Sequence, residues 1–359
     1  MRVLRFLSAG ESHGPVVAAL LEGIPPGLEL DLDFVNRQLR RRQQGYGRGG
    51  RQRIEEDRVE ILAGLRKGRT TGGPLLMLVR NRDCRLEEVP EITVPRPGHA
   101  DLAGHLKYGA PIRDVLERAS ARETAARVAA GAVARLLLRR VGCRIFSRVV
   151  AIGGVGDGTP FGSSEEDYLG AEESPVRCVN PEAAGEMVKA IDRAREEGTS
   201  LGGVFEVAAL GVPAGLGSHL QWDLRLDAAL AAAMLSIPAV KGVEIGPAFE
   251  NAGLPGREVQ DEILPAEGGG FRRASNRAGG IEGGISNGMP VVLRCAMKPI
   301  PTQTRPLRSV DLETGQEAPA AKERSDVCAV PAASVVGEAM MALVLADFLL
   351  LRSGADRLP

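Results

Sequence analysis

Aromatic side chains are scarce in this chain of 359 residues: they make up 3% of it, and a single one is tryptophan. A platform that stacks the bases of single-stranded nucleic acid needs more of them. Lysine is scarcer, with six among the 45 basic residues; the other 39 are arginine. Basic and acidic residues nearly cancel, 45 against 46, for a formal net charge of −1, so no generally basic nucleic-acid surface is expected. The five cysteines (Cys84, Cys143, Cys178, Cys295 and Cys328) are odd in number and have no CxxC spacing. The four histidines form neither HxH nor HExxH, so no metal site is expected, and the cysteines read as reduced, small apolar residues. No apolar run reaches 18 residues without a charge. The nearest, 332–351, carries Glu338 and Asp347, so no membrane span is expected. The apolar stretch within residues 1–14 is too short for a secretory signal, which makes the cytoplasm the expected location.

The remaining composition is that of a globular protein, 44% apolar and 25% charged, with mean hydropathy −0.05. Apolar spacing predicts helices over 31–43 with Asp31 as N-cap, over 112–118, over 124–140 behind a capping box at Ser120 and Glu123, over 181–197, 224–237 and 331–351. Strands are expected at 2–7, 15–21, 58–65, 74–79, 145–152, 203–212, 240–246 and 290–297. Segments 153–178, 248–289 and 300–324 read as loops. Long ordered loops in a compact protein are usually functional. One domain over 1–359 with loop-built site walls is the favoured organisation, and a division within 153–178 the alternative.

Unusual residues concentrate in those connections. His13 lies in Gly10-Glu-Ser-His-Gly14, where glycines let a ligand come close to backbone and a histidine can serve as a general acid near neutral pH. His99 lies in Arg96-Pro-Gly-His-Ala-Asp101, where Asp101 can orient the ring. An isolated histidine in a tight turn is more often only hydrogen-bonded locally. Seven arginines fall within 37–53. Arg37, Arg40 and Arg41 share a helix face that solvent can cover; Arg48 and Arg51, among glycines, suit a small and highly anionic ligand. An RNA-binding Arg-Gly segment is the rival reading. Residues 67–73 lack phosphate-loop spacing, and the glycines of 278–288 lack a dinucleotide fingerprint. Asp326, just before the last helix, reads by itself as a helix cap.

Seven motifs in order are more specific than any one: Gly10-Glu-Ser-His-Gly14, Gly45-Tyr-Gly-Arg48, Arg96-Pro-Gly-His-Ala-Asp101, Glu117-Arg-Ala-Ser-Ala-Arg-Glu-Thr124, 279–288, Lys298-Pro-Ile-Pro-Thr302 and Arg324-Ser-Asp-Val-Cys328. Through them the chain resembles the chorismate synthase family from about residue 1 to 351. The resemblance implies an α+β fold, a β-α-β sandwich with a helical core between two antiparallel sheets, assembled as a homotetramer. It implies a carbon–oxygen lyase acting on a phosphate: a 1,4-anti-elimination converts 5-enolpyruvylshikimate 3-phosphate to chorismate, the last common step towards the aromatic amino acids. The family needs reduced FMN, supplied with electrons by NADPH or by a separate flavin reductase. His13 would then protonate or hold the leaving phosphate, and His99 would lie by the flavin. Asp326, with Ser12 and Ser120, would manage the proton on the flavin nitrogen that takes the substrate hydrogen. Flavin-binding positions carry over to Arg118, Ala119, Ser120, Ala232, Ala233, Gly283, Lys298, Pro299, Ile300, Pro301, Thr302 and Arg324. Positions for the substrate or NADP anion carry over to Ser12, Arg42, Arg48 and Arg51. The chain departs from the family at Ala119, where serine is frequent, and at Ala232, where a polar residue is frequent.

Overall fold

The computed structural model describes residues 3–50, 54–355 and 357–359. Two antiparallel sheets are its largest strand assemblies. The first runs in the order Arg5–Ala9, Val16–Glu22, Leu75–Arg80, Val59–Ala63. Val17, Ala19 and Leu21 stand opposite Val79, Met77 and Leu75, and all six are buried. Their neighbours point the other way and stay partly exposed, the period of two expected of a sheet with one covered face. The second sheet runs Val240–Ile245, Val291–Met297, Gly203–Leu210, Arg144–Ile152, Val155–Gly156. It is covered on both faces: Phe205 and Val207 are buried on one, Glu206 and Ala208 on the other.

The helices are α1 (Leu32–Gln43), α2 (Asp101–Tyr108), α3 (Ile112–Ala119), α4 (Thr124–Arg139), α5 (Glu165–Ala171), α6 (Pro181–Glu197), α7 (Leu226–Leu235), α8 (Ala248–Asn251), α9 (Gly256–Val259) and α10 (Val330–Ser353). By length and composition α10 is apolar enough to cross a membrane, but 94% of that stretch is buried inside the protein. It packs along α4. The first sheet lies against α4, and the strands Arg144–Ile152 and Gly203–Leu210 of the second lie against α10. Gly131 sets how closely the two helices approach: a Cβ there would meet the Ala339 Cβ at 2.4 Å. One buried apolar cluster runs through the described residues from Leu4 to Leu350.

The expected strands and long helices form within a few residues of their predicted limits. Asp31 caps α1, its Oδ1 accepting from the Phe34 N–H at 2.8 Å. The expected capping box at Ser120 does not form. Ser120 Oγ accepts from the Arg122 N–H at 3.3 Å, and Glu123 instead accepts from Ser8 Oγ at 2.7 Å and from Arg127 Nε at 2.8 Å. A single 3₁₀ turn, Ala121–Glu123, intervenes, and α4 starts at Thr124. The expected loop over 153–178 contains α5, held by a capping box between Ser164 and Asp167. Seven residues are too few for helical periodicity to show. The glycine-rich stretch 248–289 holds α8, α9 and two short hairpins, and 300–324 holds the hairpin Arg308–Val310/Glu317–Pro319.

Candidate active site

Residues far apart in sequence line one cavity of about 490 Å³. The loop before Val16–Glu22 supplies Ser12 and His13. Asn81, at the end of Leu75–Arg80, staples that loop: its Nδ2 donates to the carbonyls of Glu11, Ser12 and Gly14 at 3.1, 3.2 and 2.6 Å. The last turn of α3 and the residue that follows the helix bring Glu117 and Ser120 beside it. Glu117 Oε2 accepts the His13 backbone N–H at 2.7 Å, and Oε1 lies 2.8 Å from His13 Nδ1. An ionised carboxylate only accepts, so Nδ1 carries the proton of that bond. Burial works against the charge on Glu117. The His13 ring and backbone bonds, with the charge of Arg113, outweigh it and hold the carboxyl below its usual range. His13 lines the cavity, and the ring nitrogen not taken by Glu117, Nε2, is 3.7 Å from Asp83 Oδ2. Ser12 Oγ and Ser120 Oγ are 3.0 Å apart.

His99 is held in the same manner. Asp101, the first residue of α2 and fully buried, lies 2.5 Å from His99 Nδ1 through Oδ1. It also receives the Arg96 N–H at 3.0 Å and Arg96 Nε at 2.8 Å. Burial opposes the charge on Asp101; the bonds from His99 and Arg96 overcome it and hold the carboxyl well below the usual range. Arg96 Nη1 reaches on to Thr302 Oγ1 at 2.8 Å, tying the His99 turn to the segment after Val291–Met297. Lys298 Nζ donates to the Gly98 carbonyl at 3.0 Å across the same gap. Burial, with Lys241 nearby, pulls the Lys298 ammonium below its ordinary value.

The third wall is cationic. Arg42, at the buried end of α1, pairs with Asp57 at 2.5 Å. Burial, with Arg122 and Arg48 nearby, lowers it from its ordinary value against the pull of Asp57. Arg48 Nη1 meets Asp326 Oδ2 at 3.1 Å, and Asp326 Oδ1 accepts the Gly49 N–H at 2.6 Å. A Cβ at Gly49 would sit 2.7 Å from the Ser325 carbonyl oxygen, so only glycine permits this approach. Asp326 is therefore not the cap of α10: that helix begins at Val330, behind Ala329. Arg324, in the lining, pairs with Asp83. Among the described residues the lining holds six cationic side chains (Arg42, Arg48, Arg96, Arg122, Lys298, Arg324) against three carboxylates, beside an apolar wall that includes Ile237, Pro238 and Met297. Among the described residues, three buried side-chain polar atoms have no hydrogen-bond partner: Arg42 Nε, Arg48 Nε and Arg113 Nη1. Two of the three belong to this cavity's lining. Buried donors are rarely left so, and an anion with several oxygens would satisfy them.

The cavity thus brings together Ser12, His13, Arg42, Arg48, His99, Ala119, Ser120, Lys298, Ile300, Pro301, Thr302, Arg324 and Asp326. Arg118 lies behind the wall, its Nη1 donating to the Gly10 carbonyl at 3.0 Å and its Nη2 to Ser8 Oγ at 2.8 Å. Pro299 is exposed beside the lining. Ala232 and Ala233 do not face the cavity. They lie on α7 with Ala232 exposed, and the wall nearby is made by Ile237, Pro238 and Ala239, which follow the helix. Gly283 is at an exposed hairpin turn apart from the lining, and Arg51 lies outside the described residues. The other arginines of 37–50 form no shared basic face: Arg37 lies by Asp31 at 3.6 Å, and Arg41 turns inward to Glu338 at 2.6 Å. Sequence reasoning missed Asn81, Asp83, Asp57 and Arg122 as parts of this site. Asn81, Asp83 and Asp57 have no local pattern that marks them, whereas Arg122 lies within the quoted motif 117–124. Glu117 opens a motif already noted, and its place three residues before Ser120 was the available signal.

Known proteins resemble this chain over nearly its whole length. The family model described as chorismate synthase matches residues 4–350. The chain is 52% identical over 368 residues to a chorismate synthase of Carboxydothermus hydrogenoformans, covering 99% of this chain and 96% of that protein. It is 56% identical over 367 residues to the one of Desulforudis audaxviator, covering 99% and 94%. A crystal structure of a chorismate synthase superposes with a TM-score of 0.82 at 48% identity, covering 99% of this chain and 94% of that one.

Proposed function

The chain belongs to the chorismate synthase family, and we infer from this that it eliminates phosphate from 5-enolpyruvylshikimate 3-phosphate to give chorismate, with reduced FMN as cofactor. In this reaction the bond from ring carbon to phosphate oxygen breaks, a ring C–H bond breaks, and a double bond forms, with no net redox change. The observation that carries the reading is the pair of orphaned donors, Arg42 Nε and Arg48 Nε, in a cationic cavity lined by two histidines, each backed by a buried carboxylate.

The substrate carries a phosphate and two carboxylates, and Arg42 and Arg48 would hold the phosphate end. Arg51 is assigned to the same anion by its position in the sequence. His13 would donate the Nε2 proton to the leaving phosphate. The apolar wall beside Lys298 and Arg324 suits a planar anionic ring, so Ala119, Ser120, Ile300, Pro301, Thr302, Lys298 and Arg324 would hold the FMN. Arg118 and Pro299 would support that wall from behind and beside it. Reduced FMN, when bound, supplies an electron to the substrate ring as phosphate departs and a place for the hydrogen the ring loses. His99 would stabilise the reduced flavin's charge, its ring held by Asp101. Asp326, with Ser12 and Ser120, would handle the proton on the flavin nitrogen. Ala232, Ala233 and Gly283 stand apart from the cavity of one chain, and their assignment to the flavin rests on the family pattern alone.

The same reading extends to coarser features. The α4 and α10 pair, with one sheet against each, supports a β-α-β sandwich, and the continuous buried cluster supports one domain over 1–359. Exposed Leu106, Trp222, Phe249 and Phe271, each more than 70% accessible, support association into a homotetramer. A cytoplasmic location and a separate flavin reductase complete the proposal.

The test is anaerobic. Protein mixed with dithionite-reduced FMN and 5-enolpyruvylshikimate 3-phosphate is expected to release chorismate and phosphate in equal amounts. A parallel arm with NADPH and oxidised FMN is expected to give none without an added reductase. Folded, flavin-binding protein that forms no chorismate would overturn the assignment.

A further inference from the structure

We propose that Glu117 is a positioning residue that fixes which nitrogen of His13 faces the ligand. The claim rests on the proposed reaction only in naming that ligand a phosphate. His13 makes two bonds to one side chain: its backbone N–H to Oε2 at 2.7 Å and its Nδ1 to Oε1 at 2.8 Å. Glu117 is 2% exposed and His13 is 7% exposed, so water does not substitute for either bond. Two donors need two acceptor oxygens, and among side chains that is a carboxylate. An amide offers one oxygen and one NH₂ group.

The consequence is a set tautomer. With Nδ1–H given to Glu117, a neutral His13 ring keeps its lone pair on Nε2, and a charged ring points its second N–H there. Nε2 is the nitrogen left free of Glu117 in a residue that lines the cavity. The groups around this pair are Arg113 on α3, whose Nη1 is 3.5 Å from Glu117 Oε1, and Asp83, 3.7 Å from Nε2. Asp83 is itself held by Arg85 and Arg324. The carbonyl of His13 accepts the Arg85 N–H at 3.0 Å, which fixes the loop from its other side. His13 cannot turn its ring over without giving up the Glu117 bond, so the carboxylate keeps Nε2 in place, and when the ring is charged it is the Nε2–H that meets a leaving phosphate oxygen.

The test uses ¹⁵N-histidine labelling of the whole chain, which contains four histidines, without substrate. His13 is identified by the signal lost in His13→Gln. At a pH where the ring is neutral, the wild type is expected to show His13 protonated on Nδ1. This measurement needs no variant at position 117, and a ring protonated on Nε2 would overturn the proposal. In Glu117→Gln the amide oxygen is expected to keep the backbone bond while its NH₂ donates to Nδ1, moving the ring proton to Nε2. Turnover should then fall about 10- to 1000-fold, since a supporting residue costs about 10- to 100-fold and a wrong tautomer up to about 10⁴. FMN affinity should be unchanged. An unaltered His13 tautomer in a folded Glu117→Gln protein would also overturn it. If the wild type shows Nδ1–H and the variant the switch, but neither makes chorismate, the positioning stands and the reaction assigned above falls.

Discussion

Two histidines enter the cavity with one ring nitrogen each already taken by a carboxylate, Glu117 for His13 and Asp101 for His99. A ring so held is oriented before any ligand arrives, which is what a positioned acid requires. His13→Ala and His99→Ala are each expected to cut turnover about 10- to 1000-fold in the anaerobic assay, the usual range for such groups. Wild-type rates from either variant would remove the role given to that residue. Asp326→Ala is expected to melt close to the wild type while turning over more slowly, because the residue faces Arg48 and Gly49 and caps no helix. Thiol reactivity separates along the same lines of burial. Burial pushes Cys143 and Cys295 up to about 12 and Cys328 to about 11, while Cys84 is exposed. In the native protein a thiol reagent is expected to label Cys84 alone. Labelling of more than one of the five cysteines before unfolding would contradict that packing.

Two helix glycines show how context decides the sign of one substitution. Gly131 lies where α4 meets α10, and an added Cβ has only 2.4 Å to the Ala339 Cβ and 2.8 Å to its carbonyl oxygen. Gly131→Ala forces the helices apart and is expected to cost about 1–3 kcal/mol, as overpacking does. Gly185 is exposed within α6, and nothing lies within 4 Å of a Cβ there. Gly185→Ala is expected to add about 0.5–1 kcal/mol, by restricting the unfolded chain and favouring helix. Urea midpoints of the two variants should move in opposite directions. Element limits were legible where a local signal sufficed, as at Asp31 before α1. They were not legible in α2 and α5, which span eight and seven residues, nor at Ser120, where Glu123 bonds with Ser8 and Arg127 from elsewhere in the chain.

At the scale of the molecule, a buried ionic knot ties four segments together. Glu338 on α10 is fully buried and meets Arg41 of α1 at 2.6 Å, Arg135 of α4 at 2.5 Å and Ser147 of Arg144–Ile152 at 2.7 Å. Burial opposes its charge, but Arg41 and Arg135 bring its carboxyl down from the ordinary 4.5 to about 2. A carboxyl lowered on folding contributes stability that is complete above its unfolded value. That contribution is lost as pH falls from about 4.5 towards 2. Urea midpoints should therefore drop across this window. Glu338→Gln should be less stable at pH 7 and should lose less between pH 5 and pH 3. A variant with the wild type's full acid loss would show that other carboxylates carry it.

By itself, the sequence determined the long elements, since strand alternation and helical spacing are local consequences of which residues are apolar. It also determined the family, because seven motifs in fixed order are improbable without common descent, and with the family came the two histidines and Asp326. Tertiary structure decided how the many arginines are turned, beyond what local spacing shows. Arg41 and Arg42 are adjacent on α1, yet one turns into the ionic knot at Glu338 and the other lines the cavity with its Nε unsatisfied. It alone also brought Glu117 within 2.8 Å of His13, 104 positions away. Such pairings depend on where the sheets and helices place distant loops, and no local spacing encodes that distance.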